Sequence, residues 1–387
     1  MNAKKLFSFL MVAMMLVSVI GCAAPAAAPA PTDPADPAAS SEPAASTGVA
    51  DDGFEYTADG RKIIKFGWSM CNTINIGNIA VHMGVEEAVQ AFNDEPGHSI
   101  YIDLTSTVAD DDATAQMNQI TSWANSGYHV IAAQSVDSNA VYNAIEEAHN
   151  AGARYIAAGI VVEANSEGIA PDCFIGGNMY TSGYESTKAV LDIMLADGYK
   201  PEDIKSICIV GGLFDNNAAL MRDGGLDALK EYGCPEPMAF VESDWNTSTC
   251  LERLSPVIQE HKGEFNFILT PNTDMLLVTQ SILEREGMWF RHGEEGHIYL
   301  GSQTSMPAGL KLLCEGYLDA DATCAMFEVG EYCVKEIARY FEEGQPMENH
   351  YFNKEPITRA NFEQLKADDK LYSQRFWESD ISVTWDK

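Results

Sequence analysis

Residues 128–160 restrict the possible folds more than any other stretch, because they read as one complete strand–helix–strand unit. Val130, Ile131, Ala132 and Ala133 form a short apolar run without polar alternation, the pattern of a strand buried on both faces. Gln134 ends that run. Asp137, Ser138 and Asn139 offer side-chain oxygens to the free N–H groups of a first helical turn. Ala140, Val141, Ala144, Ile145 and Ala148 then share one helical face. Gly152 stops the helix, and Arg154-Tyr-Ile-Ala-Ala-Gly starts a second buried strand. A crossover of this kind is right-handed and lays its two strands parallel. Open parallel sheets bind ligands beyond the carboxyl ends of their strands, so Gln134 is the first candidate site residue.

The same alternation extends along the chain in two runs. The first predicts strands over 62–70, 99–105, 130–133, 154–159 and 173–175. Its first two helices turn Val81, Val85, Ala88, Val89 and Phe92, then Ala113, Met117, Ile120 and Ala124, toward a core. The second run predicts strands over 204–210, 237–241, 265–269, 298–301 and 322–326. Helices are expected over 183–196, around 218–229, from 248, after 272, over 308–314 and over 329–341, with a last strand near 350–352. Strands spaced in this way, with helices between them, predict an α/β protein of two doubly wound parallel-sheet lobes. At 387 residues the chain is too long for one small core.

The N-terminus has a different composition. Lys4-Lys5 precede a nearly unbroken apolar run over 6–20, short for a membrane span and ending in Val19-Ile20-Gly21-Cys22. This resembles a bacterial lipobox, which implies a signal peptide over 1–21 and a lipid on Cys22. Residues 22–58 then read as an Ala/Pro-rich disordered tether to the membrane. The formal net charge of −33 argues against nucleic-acid binding, which calls for a basic face. Eight further cysteines (71, 173, 208, 234, 250, 314, 324 and 333) include no Cys-x-x-Cys pair and read as small buried apolar residues. His292 and His297 flank Gly-Glu-Glu-Gly and read as loop residues, with no metal expected.

Enzyme signatures are absent from the sequence: no Gly-x-Ser-x-Gly, no phosphate-binding Gly-Lys-Ser/Thr, no metal-spaced histidines. Gly211-Gly212 lies between a strand and a helix as in a dinucleotide turn, but the third glycine is missing. No cofactor is expected. The predicted carboxyl ends of strands carry instead Asn72 and Asn75, Gln134, Arg222, Asp244-Trp245, Asn272 and Gln303. Amides donate and accept, arginine offers a fixed fork of donors, and tryptophan a flat apolar face. Together they suit a small neutral molecule bearing hydroxyls or carbonyls.

On Ala133-Gln134-Ser135-Val136-Asp137-Ser138-Asn139-Ala140, Met221-Arg222-Asp223-Gly224-Gly225-Leu226, Asp244-Trp245, Asn272-Thr273-Asp274-Met275 and Gly301-Ser302-Gln303, the span 62–360 resembles the periplasmic-binding-protein type I family. The resemblance is to the ribose/galactose-type sugar-binding group of ABC importers. It implies ligand contacts at Gln134, Arg222, Trp245, Asn272 and Gln303. The chain has one arginine where members often carry two, so the match to Arg222 holds to within two residues. It implies an N-terminal lobe of 59–176 plus 327–356, a C-terminal lobe of 177–326 plus 357–387, and hinge closure on the ligand. A membrane ABC permease, a lipid anchor at Cys22, an extracytoplasmic location and a monomeric state complete the expectation. The chain departs from the family pattern at Gly159-Ile160-Val161, where an Asp-Arg pair is common, at Gln303 for a late Asp, and over 72–78, which lacks paired aromatics. The ligand classes left open are an unusual sugar, a polyol, a nucleoside-like compound or a signalling molecule. A receptor subunit feeding a membrane sensor is the alternative role, and no catalytic residue is expected.

Overall fold

The computed structural model describes residues 46–49, 52–323, 325–352 and 355–368. The expected signal peptide, Cys22, most of the tether, Cys324 and the tail beyond 368 lie outside the described residues.

Strand β1 (Ser46–Val49) pairs antiparallel with β2 (Glu55–Thr57), which leads into β3 (Lys62–Met70). The last stretch of the expected tether, 46–57, therefore contributes two strands, and Tyr56 pairs with Lys62 of β3. Then follow α1 (Ile76–Asp94), β4 (Ile100–Val108), α2 (Ala113–Asn125), β5 (Val130–Ala133), α3 (Tyr142–Asn150), β6 (Arg154–Ala158) and β7 (Cys173–Gly177). The second run comprises α4 (Met179–Ala196), β8 (Ser206–Val210), α5 (Asn216–Glu231), β9 (Ala239–Glu242), α6 (Thr247–Glu260), β10 (Phe267–Leu269), α7 (Thr273–Glu286), β11 (Tyr299–Ser302), α8 (Pro307–Glu315) and β12 (Ala320–Asp321). Helix α9 (Met326–Phe341) and β13 (His350–Phe352) return to the first sheet; β14 (Ile357–Thr358) and α10 (Phe362–Ala367) rejoin the second.

One sheet runs β1-β2-β3-β5-β6-β7-β13, with β4 also on β3; the other runs β14-β12-β11-β10-β8-β9. Every pairing from β3 to β13 is parallel, as expected for strands joined by crossover helices. Residues of β5 and β7 are buried throughout, so both faces of that sheet are covered. The chain passes between the sheets after β7, between β12 and α9, and between β13 and β14.

Two local expectations are corrected. Helix α3 starts at Tyr142 without a side-chain cap, because Asp137 instead accepts from the N–H groups of Asn139 and Ala140 in a turn before it. The strand expected over 322–326 is the pair Ala320–Asp321: the Asp321 carboxylate accepts from the N–H groups of Thr304 and Ser305, and the chain then leaves the sheet to start α9 at Met326.

Candidate functional site

The carboxyl ends of the two sheets meet. Ser138, after β5, donates its N–H to the Phe214 carbonyl after β8 (3.2 Å). Asn217, in the first turn of α5, donates from its side chain to the Gly159 carbonyl (2.9 Å) and accepts from the Val161 N–H (3.2 Å). Asn216 donates to the Val161 carbonyl (3.1 Å). These contacts tie the segments after β5 and β6 to the start of α5, which projects from the other sheet.

Gln134 sits at the centre of this junction. Its carbonyl accepts from the Cys71 thiol (2.9 Å) and from Gln116 (2.8 Å), and its side-chain amide donates to Asn78 (3.1 Å). Its Oε1 is buried without a hydrogen-bond partner. Gly159, at φ 74°, lies beside the amide: a Cβ there would be 3.6 Å from Gln134 Nε2. Asp215, 6% exposed, lies near Cys71 and caps α5 by accepting from the Asn217 N–H (2.8 Å). Burial pushes the Asp215 carboxyl up to about 7, opposed by the Asn217 N–H and by the Trp245 indole N–H, which lies toward it without an ordinary hydrogen bond. Burial, then the charges of Asp215 and Asp111, hold the Cys71 thiol far above its usual range.

Trp245 lies on the second-sheet side, its ring flat against Gly211; a Cβ on Gly211 would fall 2.2 Å from the ring. The loop that presents it is strained, with Asp244 at φ 52° and Trp245 at φ 56°. Asp110, Asp111 and Ser305 are the other non-glycine residues at positive φ among the described residues, and they follow β4 and β11. Backbone strain of this kind thus gathers in loops at strand ends, where it commonly serves function. Beside Trp245 lies an apolar cluster of Leu220, Met221, Met179 and Met326, the last also packing with Ile76, Ala80 and Met306. The junction thus sets the Gln134 amide of the first sheet against the Asp215 carboxylate, the indole and the methionines.

The other sequence candidates divide. Asn72 accepts from the N–H groups of Ile74 and Asn75 and donates to Asp111; Asn75 caps α1. Asn272 caps α7 by accepting from the Met275 N–H (2.9 Å) and is 6% exposed. Gln303, 1% exposed, donates weakly to the Thr270 carbonyl (3.5 Å). Arg222 lies on α5 and pairs with the neighbouring Asp223 (2.8 Å). Sequence reasoning missed Cys71, Asn78, Asp215, Asn217 and the methionines. Asp215 and Asn217 were within reach of the same rule that found Gln134, since they follow the carboxyl end of β8.

The sequence matches the family described as Periplasmic binding protein domain over residues 66–346. No curated protein matches it. Among solved structures, a solute binding protein of an ABC transporter from Bacillus halodurans with bound myo-inositol aligns with TM-score 0.68 at 18% identity, covering 80% of this chain and 99% of that one. One from Actinobacillus succinogenes with bound D-allose aligns with TM-score 0.67 at 17% identity over 78% and 99%. The binding protein of an arabinose ABC transporter from Shewanella, bound to L-arabinofuranose, aligns with TM-score 0.68 at 13% identity over 79% and 95%. At these identities the likeness concerns the fold, and the two-lobed α/β architecture expected from the sequence is borne out.

Proposed function

Because the chain belongs to the periplasmic binding protein domain family, a family of binding domains and not of catalysts, we propose that it is the extracytoplasmic solute-binding lipoprotein of an ABC importer. It captures a small polar, carbohydrate-like molecule between its lobes and presents the closed form to a membrane permease. The observation that carries this reading is the junction itself. Gln134 from one sheet and Asp215, Asn217 and Trp245 from the other converge there, and the buried Gln134 Oε1 waits for a donor. A sugar or polyol hydroxyl is such a donor, and a sugar ring face suits the indole. Ligand contact at Asn72, Asn75, Arg222, Asn272 and Gln303 is the further part of the proposal. In the ligand-free chain the Asn72 and Asn75 side-chain oxygens serve backbone N–H groups, and Arg222 pairs with Asp223.

Mass spectrometry of small molecules released from the freshly purified protein, followed by calorimetric titration with myo-inositol, D-allose, arabinose and a nucleoside, tests the reading. One polyol or sugar binding with one-to-one stoichiometry supports it; binding of a peptide or a nucleoside instead overturns the carbohydrate assignment. For the anchor, Cys22→Ser should release the chain from the cell membrane, and retention on the membrane would overturn the lipid attachment.

A further inference from the structure

We propose that His292, His297 and Asp319 form a binding site for a divalent transition-metal ion such as zinc, on the C-terminal lobe and apart from the ligand junction. The two histidines lie on the segment before β11, and Asp319 lies just before β12. Sequence spacing alone left the histidines as loop residues; the pairing of β11 with β12 brings the carboxylate to them.

The geometry of His297 carries the argument. Its Nδ1 is 2.8 Å from the Phe290 carbonyl, which can only accept, so Nδ1 carries a proton. Nε2 then faces the Asp319 carboxylate at 3.1 and 3.3 Å. A bare nitrogen lone pair against a carboxylate is repulsive, so a positive centre belongs between them: a second proton or a metal. His292 brings a further nitrogen to the same carboxylate, with Nδ1 3.1 Å from Oδ1. The nitrogen and carboxylate atoms of the three residues lie within 4.8 Å of one another. Ligands at about 2.0–2.2 Å from a tetrahedral zinc stand roughly 3.3–3.6 Å apart, close to the histidine–carboxylate contacts of 3.1–3.3 Å.

The surroundings match the support that metal ligands receive in known sites. The Phe290 carbonyl orients His297, and the Leu300 N–H holds Asp319 Oδ2 at 2.9 Å. Asp319 and His297 are buried, while His292 borders a surface hollow of about 540 Å³ shared with Asp197, Tyr199 and Glu294, which provides an entry path and room for a water as fourth ligand. Asp197 Oδ2, 3.4 Å from His292 Nε2, orients the ring from its other side. The competing cation is Arg359, whose Nη2 is 3.8 Å from Asp319 Oδ1. A bound ion ties the segment before β11 to the start of β12.

The full chain, purified without a polyhistidine tag and stripped with chelator, should take up one equivalent of Zn²⁺ by calorimetry, with a rise in Tm. His292→Ala and His297→Gln, each checked for folding by circular dichroism, should lose that equivalent. His292 is part-exposed, so its variant carries the test should His297→Gln fail to fold. Co²⁺ bound in place of zinc should show no thiolate charge-transfer band. Failure of the native chain to bind, an equivalent retained in the variants, or a thiolate band overturns the site. None of these outcomes depends on the cleft ligand, so the proposed function stands or falls separately.

Discussion

Gln134 is 2% exposed, yet its side-chain oxygen has no hydrogen-bond partner. An unmade hydrogen bond on a buried group costs about 1–3 kcal/mol, and a ligand hydroxyl removes that penalty on binding. Trp245 is the apolar counterpart, held in a left-handed loop against a glycine that leaves room for its ring. Trp245→Ala should weaken ligand binding by about 1–3 kcal/mol, measured by calorimetry; unchanged affinity would remove the indole from the site. A second residue-scale prediction concerns Asp321, fully buried, which burial pushes up to about 7 against the N–H groups of Ser305, Thr304 and Ala322. Its folded pKa exceeds the ordinary 3.8, so the folded chain holds a proton that the unfolded chain releases between those values. That contribution to stability is fully present below about pH 4 and is lost as pH rises toward about 7. Urea midpoints measured from pH 4.5 to 8 should therefore fall more in the native chain than in Asp321→Asn, and parallel profiles would refute the assignment. Strand-end polar residues were legible in the sequence. That Asn72, Asn75 and Asn272 could be turn or cap residues was legible too, but not which role each takes, because a first-turn N–H and a ligand hydroxyl ask the same thing of an amide oxygen.

Among the elements, two helix pairs approach through glycines. A Cβ on Gly330 of α9 would lie 2.1 Å from the Val85 nitrogen of α1, and one on Gly84 would lie 2.2 Å from the Phe327 carbonyl oxygen. In the other lobe, a Cβ on Gly183 of α4 or on Gly224 of α5 would lie 2.0 Å from the Met221 or the Tyr180 carbonyl oxygen, respectively. Backbone cannot yield as a flexible side chain can, so the helices must separate. Gly330→Ala should lower the urea midpoint by roughly 1–3 kcal/mol or more in stability, although alanine is the better helix former. An unchanged or higher midpoint would show that the crossing relaxes freely. Periodicity in the sequence located these helices and their apolar faces. It could not distinguish a glycine that merely lowers helix propensity from one that marks a contact, since that depends on which helix lies opposite.

For the whole molecule, the contacts that matter bridge the lobes. Asn217 reaches the Gly159 carbonyl and the Val161 N–H from across the junction. With net contributions of about 0.5–1.5 kcal/mol per hydrogen bond, Asn217→Ala should weaken ligand binding by roughly 1–2 kcal/mol. It should also enlarge the radius of gyration of the ligand-free chain by small-angle scattering, because the closed arrangement loses support. Tightened binding, or identical scattering with and without ligand in the native chain, would argue against closure as the binding step.

The sequence by itself determined the alternation of strand and helix, the parallel sheets and the strand ends that carry the polar candidates. Those follow from local periodicity and from the handedness of the crossover, which need no knowledge of the other lobe. Only the tertiary structure decided that Asn217 reaches the Gly159 carbonyl beside Gln134, that Arg222 pairs with Asp223, and that Asp319 meets two histidines. Those pairings join residues far apart in the chain, and which of them touch depends on how sheets and lobes pack, a quantity that no local pattern encodes.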